Sequence, residues 1–167
     1  MKTNITKDLE NKTLIIERTF NATKDRLWPY YAEKEKFEAW WGPEGWETTA
    51  KEFDFRPGGR VHYDMKCVDP AQAEWYGKSS WGLMQIESVD APNSFTYVDY
   101  FSDETGAVTQ DMPGLKVVNE LIEGDGTVTL RSTSYADSAE DIEKLLAMGM
   151  AEGFDSQLDR LDAIFAK

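Results

Sequence analysis

Read as apolar and polar positions, the chain changes its period three times. Residues 12–20, KTLIIERTF, are β-branched and apolar enough for a first strand. The segment Asn21-Ala22-Thr23 offers capping side chains, and Leu27, Trp28, Tyr31 and Ala32 then recur at helical spacing, which predicts a short helix over about 23–33. One more helical turn, from Lys36 to Trp41, stops at Gly42-Pro43. From there to Tyr135 the period is two. Strands are predicted over 46–55, 60–68, 76–89, 95–101, 116–123 and 127–135. Arg56-Pro57-Gly58-Gly59 and Gly124-Asp125-Gly126 are hairpin turns, because glycine accepts the positive φ that a tight reversal needs. Residues 90–94 turn the chain once more, and the polar stretch 102–114, with Gly106, Pro113 and Gly114, reads as a longer loop. In the last strand Val128 and Leu130 alternate with Thr127, Thr129, Arg131 and Thr133, giving one buried and one wet face.

After Ser138 the period becomes helical. Ile142, Leu145, Leu146, Met150, Phe154, Leu158, Leu161 and Phe165 form one apolar stripe to the C-terminus, a long amphipathic helix that carries Gly149 and Gly153. Each glycine costs a helix up to about 1 kcal/mol relative to alanine, so room for a ligand or a close backbone approach is expected beside them. This element order predicts an α+β fold, with a curved antiparallel sheet wrapped around the long C-terminal helix and the short helices closing one end. With neither repeats nor a linker, residues 1–167 are expected to form one domain.

Composition narrows the function. Net charge is −13, from 31 acidic and 18 basic residues, and no Lys/Arg cluster interrupts it, so neither nucleic acid nor an anionic membrane surface is an expected partner. A polar start and the lack of any apolar run near 18 residues point to a cytoplasmic protein. Cys67 and His62 are single, which leaves no intrachain disulfide, no Cys/His zinc site and no expected cofactor. Strand alternation puts Val61, Tyr63 and Met65 on one face and His62 with Arg60 and Asp64 on the other, so His62 is expected at the wet surface and Cys67 as a structural or idle thiol. Arg56 and Arg60, flanking a hairpin turn, are likewise expected at the surface.

Three of the six tryptophans, Trp40, Trp41 and Trp46, crowd around the Gly42-Pro43 kink. Aromatics of this size line a core, a pocket or an interface. They can wedge the short helices onto the sheet, or one or two can line the entrance of a cup.

The run Trp40-Trp41-Gly42-Pro43, followed by Phe53-Asp54-Phe55-Arg56-Pro57-Gly58-Gly59-Arg60, resembles the signature of the activator-of-heat-shock-ATPase homologue branch of the START-like (SRPBCC) superfamily. Glu17 through Ala22 with Leu27-Trp28 is similar to that family's first strand and helix, and Glu152-Gly153-Phe154 with Leu158 to Leu161 to its last helix. The resemblance runs over about 12–165 and implies the helix-grip fold. It further implies a ligand-binding cup for an apolar molecule, with some members acting as enzymes and the branch named for a chaperone activator.

Three functions therefore stay open. The first is a small-molecule-binding protein holding an apolar or aromatic ligand against Trp28, Tyr31, Trp41, Trp46, Phe53, Tyr63, Met65, Trp81, Tyr97, Met150 and Phe154. The second is a cyclase- or hydrolase-type enzyme using Asp99, Glu120, Tyr63 or Tyr97 as acid or base. The third is a stress-response regulator with a chaperone as partner, and under any of the three a monomer or homodimer is expected. An inward, desolvated carboxylate in the pocket favours the enzyme, and walls of Trp, Tyr, Met and Phe alone favour the binder.

Overall fold

The computed structural model describes residues 2–111 and 114–166. Eight antiparallel strands form one curved, unclosed sheet in the order β1-β2-β8-β7-β6-β5-β4-β3. The strands are β1 (Asn4–Asp8), β2 (Thr13–Phe20), β3 (Trp46–Phe53), β4 (Arg60–Cys67), β5 (Ser79–Asp90), β6 (Ser94–Ser102), β7 (Leu115–Glu123) and β8 (Val128–Tyr135). All six strands expected from 46 to 135 are present, with small shifts at their ends. Pro113, one of the breakers expected in the loop after β6, lies outside the described residues.

Strand alternation becomes a concave face. Phe20, Leu130, Leu121, Phe95, Tyr97, Ile86, Met84 and Val61 point inward and are all nearly solvent-free. Against this face pack the short helices α1 (Lys24–Leu27), α2 (Pro29–Ala32) and α3 (Lys34–Trp40) and the C-terminal helices α4 (Ala139–Ala147) and α5 (Met150–Phe165).

Five expectations need correction. The helix at 23–33 is two helices, because Pro29 lacks the N–H that would carry the first through and instead opens the second. The C-terminal helix is also two, since Gly149 adopts a left-handed φ of 87° between α4 and α5. Gly153, by contrast, stays helical. The polar N-terminus holds an extra edge strand, β1, paired with β2.

The fourth correction is His62, which is buried rather than wet. It does lie on the outer face, with Arg60 and Asp64, but the loop after β6 folds back over it. The Asp103 carbonyl oxygen sits 3.0 Å from its Nε2, and the Trp81 ring lies 4.9 Å away. Thr133, also expected wet, is buried on the outer face of the sheet's centre, flanked by Ile15 and Val118. Cys67 is a buried free thiol. Arg56 and Arg60 are at the surface, paired with Asp54 and Glu52.

Candidate functional site

The double tryptophan divides its labour at the end of α3. Trp40 is fully buried and donates its Nε1–H to the Tyr30 carbonyl at 2.8 Å. Trp41 faces the other way, stacked on Phe37 at 5.0 Å and edge-on to Tyr63 and Phe154 at 5.9 and 6.2 Å. Gly42 then turns the chain with a φ of 97°. The turn is fastened to α5: the Gly42 N–H donates to Gln157 Oε1 at 2.8 Å, and Arg160 donates to the carbonyls of Gly42 and Trp46 at 2.7 and 3.1 Å. Backbone groups freed by the kink are thereby satisfied, and Trp41 is held at a fixed angle.

Beyond Trp41 lies a cavity of about 280 Å³ between the sheet and the two C-terminal helices. Its walls include Trp41, Tyr63, Met65, Leu115, Met150 and Phe154, with the exposed Phe101 and Met148 at its rim. Glycines shape the space, one leaving room open and one admitting a ring. A Cβ at Gly153 would meet nothing within 4 Å, while one at Gly82 would strike the Tyr63 ring at 2.4 Å. The ring of Tyr63 therefore lies across the strand opposite it.

One carboxylate enters this space. On β6, Asp99 sits between Met84 and Leu115 in register, on the inward face. Burial pushes its carboxyl up to about 7 from an ordinary 3.8, against hydrogen bonds from the Tyr63 hydroxyl and the Tyr100 backbone. The Tyr63 Oη–Oδ1 distance is a long 3.5 Å. Burial, and next the neighbouring Asp99 charge, raise the hydroxyls of Tyr63 and Tyr97 as well.

Of the eleven aromatic and methionine positions expected at a ligand site, six border this cavity: Trp41, Tyr63, Met65, Trp81, Met150 and Phe154. Trp81 borders it from the strand only, since its indole lies on the outer face against His62. The other five are elsewhere. Trp28, Tyr31, Phe53 and Tyr97 pack among Phe37, Phe55 and Phe95 at the closed end. Trp46 stands outside, bonded to Gln72 and near Trp75. Among the acid–base candidates Asp99 and Tyr63 meet in the cavity, and Tyr97 is sealed beneath it. Glu120 is on the outer face, opposite Arg131. Sequence reasoning missed Gln157, a polar side chain one helical turn from Phe154, whose signal was a glutamine inside an apolar stripe.

The sequence model for the activator of Hsp90 ATPase homolog 1-like protein family matches residues 21–166. The chain belongs to this family. A search of curated proteins returned no match. Among solved structures, protein Ms6760 of Mycobacterium smegmatis is 34% identical, with a TM-score of 0.86 over 97% of this chain and 95% of its own. A protein from Arthrobacter aurescens is 27% identical, with a TM-score of 0.88 over 98% and 91%. The AHSA1 protein of Silicibacter pomeroyi, at 23% identity and a TM-score of 0.71 over 92% and 97%, is similar in fold. The helix-grip architecture is shared with these structures, and the cavity of this protein lies where its own sheet and last helices face each other. No helix among the described residues is long and apolar enough to cross a membrane.

Proposed function

We propose that the protein binds a small, largely apolar molecule in the cavity between its sheet and its C-terminal helices. The observation that carries this reading is the cavity itself: about 280 Å³ bounded by Trp41, Tyr63, Met65, Met150 and Phe154. Core side chains ordinarily leave few voids larger than a water molecule, so a space of this size with an open rim suits a ligand. Removing a ligand's apolar surface from water at roughly 25 cal/mol per Å², less the entropy of association, gives affinities of about micromolar order.

The test uses N-phenyl-1-naphthylamine, an uncharged dye that brightens in apolar surroundings. Wild-type protein is expected to bind it. Gly153→Leu, which fills the open space beside α5, is expected to abolish binding, while Asp125→Asn in the β7–β8 turn leaves it intact. A folded Gly153→Leu protein that binds the dye as before would sink the reading.

A second reading, acid–base catalysis on the bound molecule, has one observation in its favour. The Asp99 carboxyl, pushed up to about 7, lies beside the Tyr63 hydroxyl inside the cavity. It is checked by incubating protein with a co-purified ligand and following its mass: an Asp99-dependent change supports catalysis, and an unchanged ligand leaves binding alone.

A further inference from the structure

Two polar groups line the cavity: one is a carboxylate without a counter-charge, the other a buried amide with an unpaired donor. The first is Asp99. Its carboxylate has the Tyr63 hydroxyl at 3.5 Å and the Tyr100 backbone N–H as company. No lysine, arginine or histidine occurs among the described residues that line the cavity. A carboxylate in apolar surroundings is costly unless a cation or several donors meet it. The second is Gln157, which is 5% exposed. Its Oε1 is fixed by the Gly42 N–H at 2.8 Å, because an N–H can only donate. That leaves Nε2 as a buried donor with no partner in the protein. The same wall carries the aromatic rings of Trp41, Tyr63 and Phe154, whose faces attract positive charge.

An anionic ligand would meet Asp99 as a like charge, and a plain hydrocarbon would leave its carboxylate without a counter-charge. We propose that the cavity takes a lipophilic ammonium compound, an apolar body carrying a protonated amine that pairs with the Asp99 carboxylate. The inference rests on the cavity being the binding site. In the complex the amine keeps its proton and Asp99 is ionised, so no bond is made or broken.

Groups facing Asp99 bear on its pH dependence. They are the hydroxyls of Tyr63 on β4 and Tyr97 on β6, both pushed upward, together with uncharged neighbours. β5 contributes Ser80, Gly82 and Met84, β7 contributes Leu115, and α3 leads into Trp41. The C-terminal helices add Leu145, Met148, Met150, Phe154 and Gln157. Asp99 is thus the group that gains charge near neutral pH in this space.

Three probes of one shape separate the possibilities: 1-naphthylmethylamine, 1-naphthalenemethanol and 1-naphthoate, titrated by calorimetry. At about pH 8 the amine is expected to bind at least about tenfold more tightly than the alcohol, with the carboxylate weakest. Its affinity should rise between about pH 6 and about pH 8 as Asp99 ionises. In Asp99→Asn, checked for a cooperative melt, the amine should fall to within about threefold of the alcohol. If the alcohol or the carboxylate binds as tightly as the amine, or if the amine's affinity is flat with pH in the wild type, the ammonium assignment is overturned while the cavity stands. If none of the three binds, the cavity is not the site and both readings fall.

Discussion

The two ends of the molecule are built from the same residue types and end in opposite states. At one end Trp28, Tyr31, Trp40, Phe55 and Phe95 meet at ring separations of 4.8 to 5.9 Å, mostly edge-on, and close the sheet against α1–α3. At the other, Trp41, Tyr63 and Phe154 stand around about 280 Å³ of open space. Hydrophobicity does not separate them. Backbone does: the closed end is covered by short helices that sit directly on the rings, whereas Gly149 and Gly153 withhold side chains where the cavity lies. Packing against aromatics on all sides makes a core, and packing against glycine on one side makes a wall.

Adjacent tryptophans give the sharpest version of this contrast and the largest expected effect. Trp40→Ala should cost about 4 kcal/mol, because it removes a fully buried indole from rings that cannot collapse and orphans the Tyr30 carbonyl. Phe154→Ala, bordering a space already open, should cost less than half as much, since solvent and neighbouring side chains can enter. Urea unfolding at constant m-value checks both. Equal losses would mean that the two ends do not differ in packing.

This contrast was only half legible in the sequence. Strands and turns from 46 to 135 were, because alternation reports which side of a strand is buried and Gly-rich reversals report where it ends. β1 was not, as every residue from Asn4 to Lys7 is exposed and no apolar face marks the strand. His62 shows a second limit: alternation placed it on the outer face, but not under the loop that covers that face. For the site, Asp99 and the Trp41 wall could be proposed from apolar runs. What could not be read was which aromatics would be sealed by other aromatics, since Trp28, Tyr31 and Tyr97 carry the same local pattern as Tyr63.

An intermediate effect tests the polar side of the comparison. The rings that close one end are uncharged, while the cavity holds Asp99 at about 7 against an ordinary 3.8. A carboxyl raised in the folded state binds its proton more tightly there than in the unfolded chain. Its contribution is therefore fully present below about pH 4 and is lost as pH rises toward about 7. Asp99→Asn removes that loss, so the variant should be more stable than wild type by on the order of 2 kcal/mol at pH 8, with the advantage shrinking toward acid. Paired thermal melts across this range isolate the difference from the other acidic groups. A variant less stable at pH 8 would mean that the ionised carboxylate is well satisfied in the cavity.

The smallest effects come from the glycines that keep the space open, and they should differ in sign. Gly149 holds a φ of 87°, where an L side chain is strained, and an added Cβ would meet only Glu152 Oε2 at 3.9 Å. Gly149→Ala should therefore destabilise by about 1 kcal/mol through backbone strain alone, with no clash. Gly153 is helical and its Cβ would enter open space, so Gly153→Ala should stabilise by up to about 1 kcal/mol through helix propensity. For a chain of this length each change amounts to about 2–4 °C in Tm. A methyl at position 153 also projects toward the cavity without filling it, so dye binding should persist in Gly153→Ala even though it is lost in Gly153→Leu. If Gly149→Ala were stabilising too, α4 and α5 would be joining into one helix, and the cavity they border would be a property of the break rather than of the missing side chains.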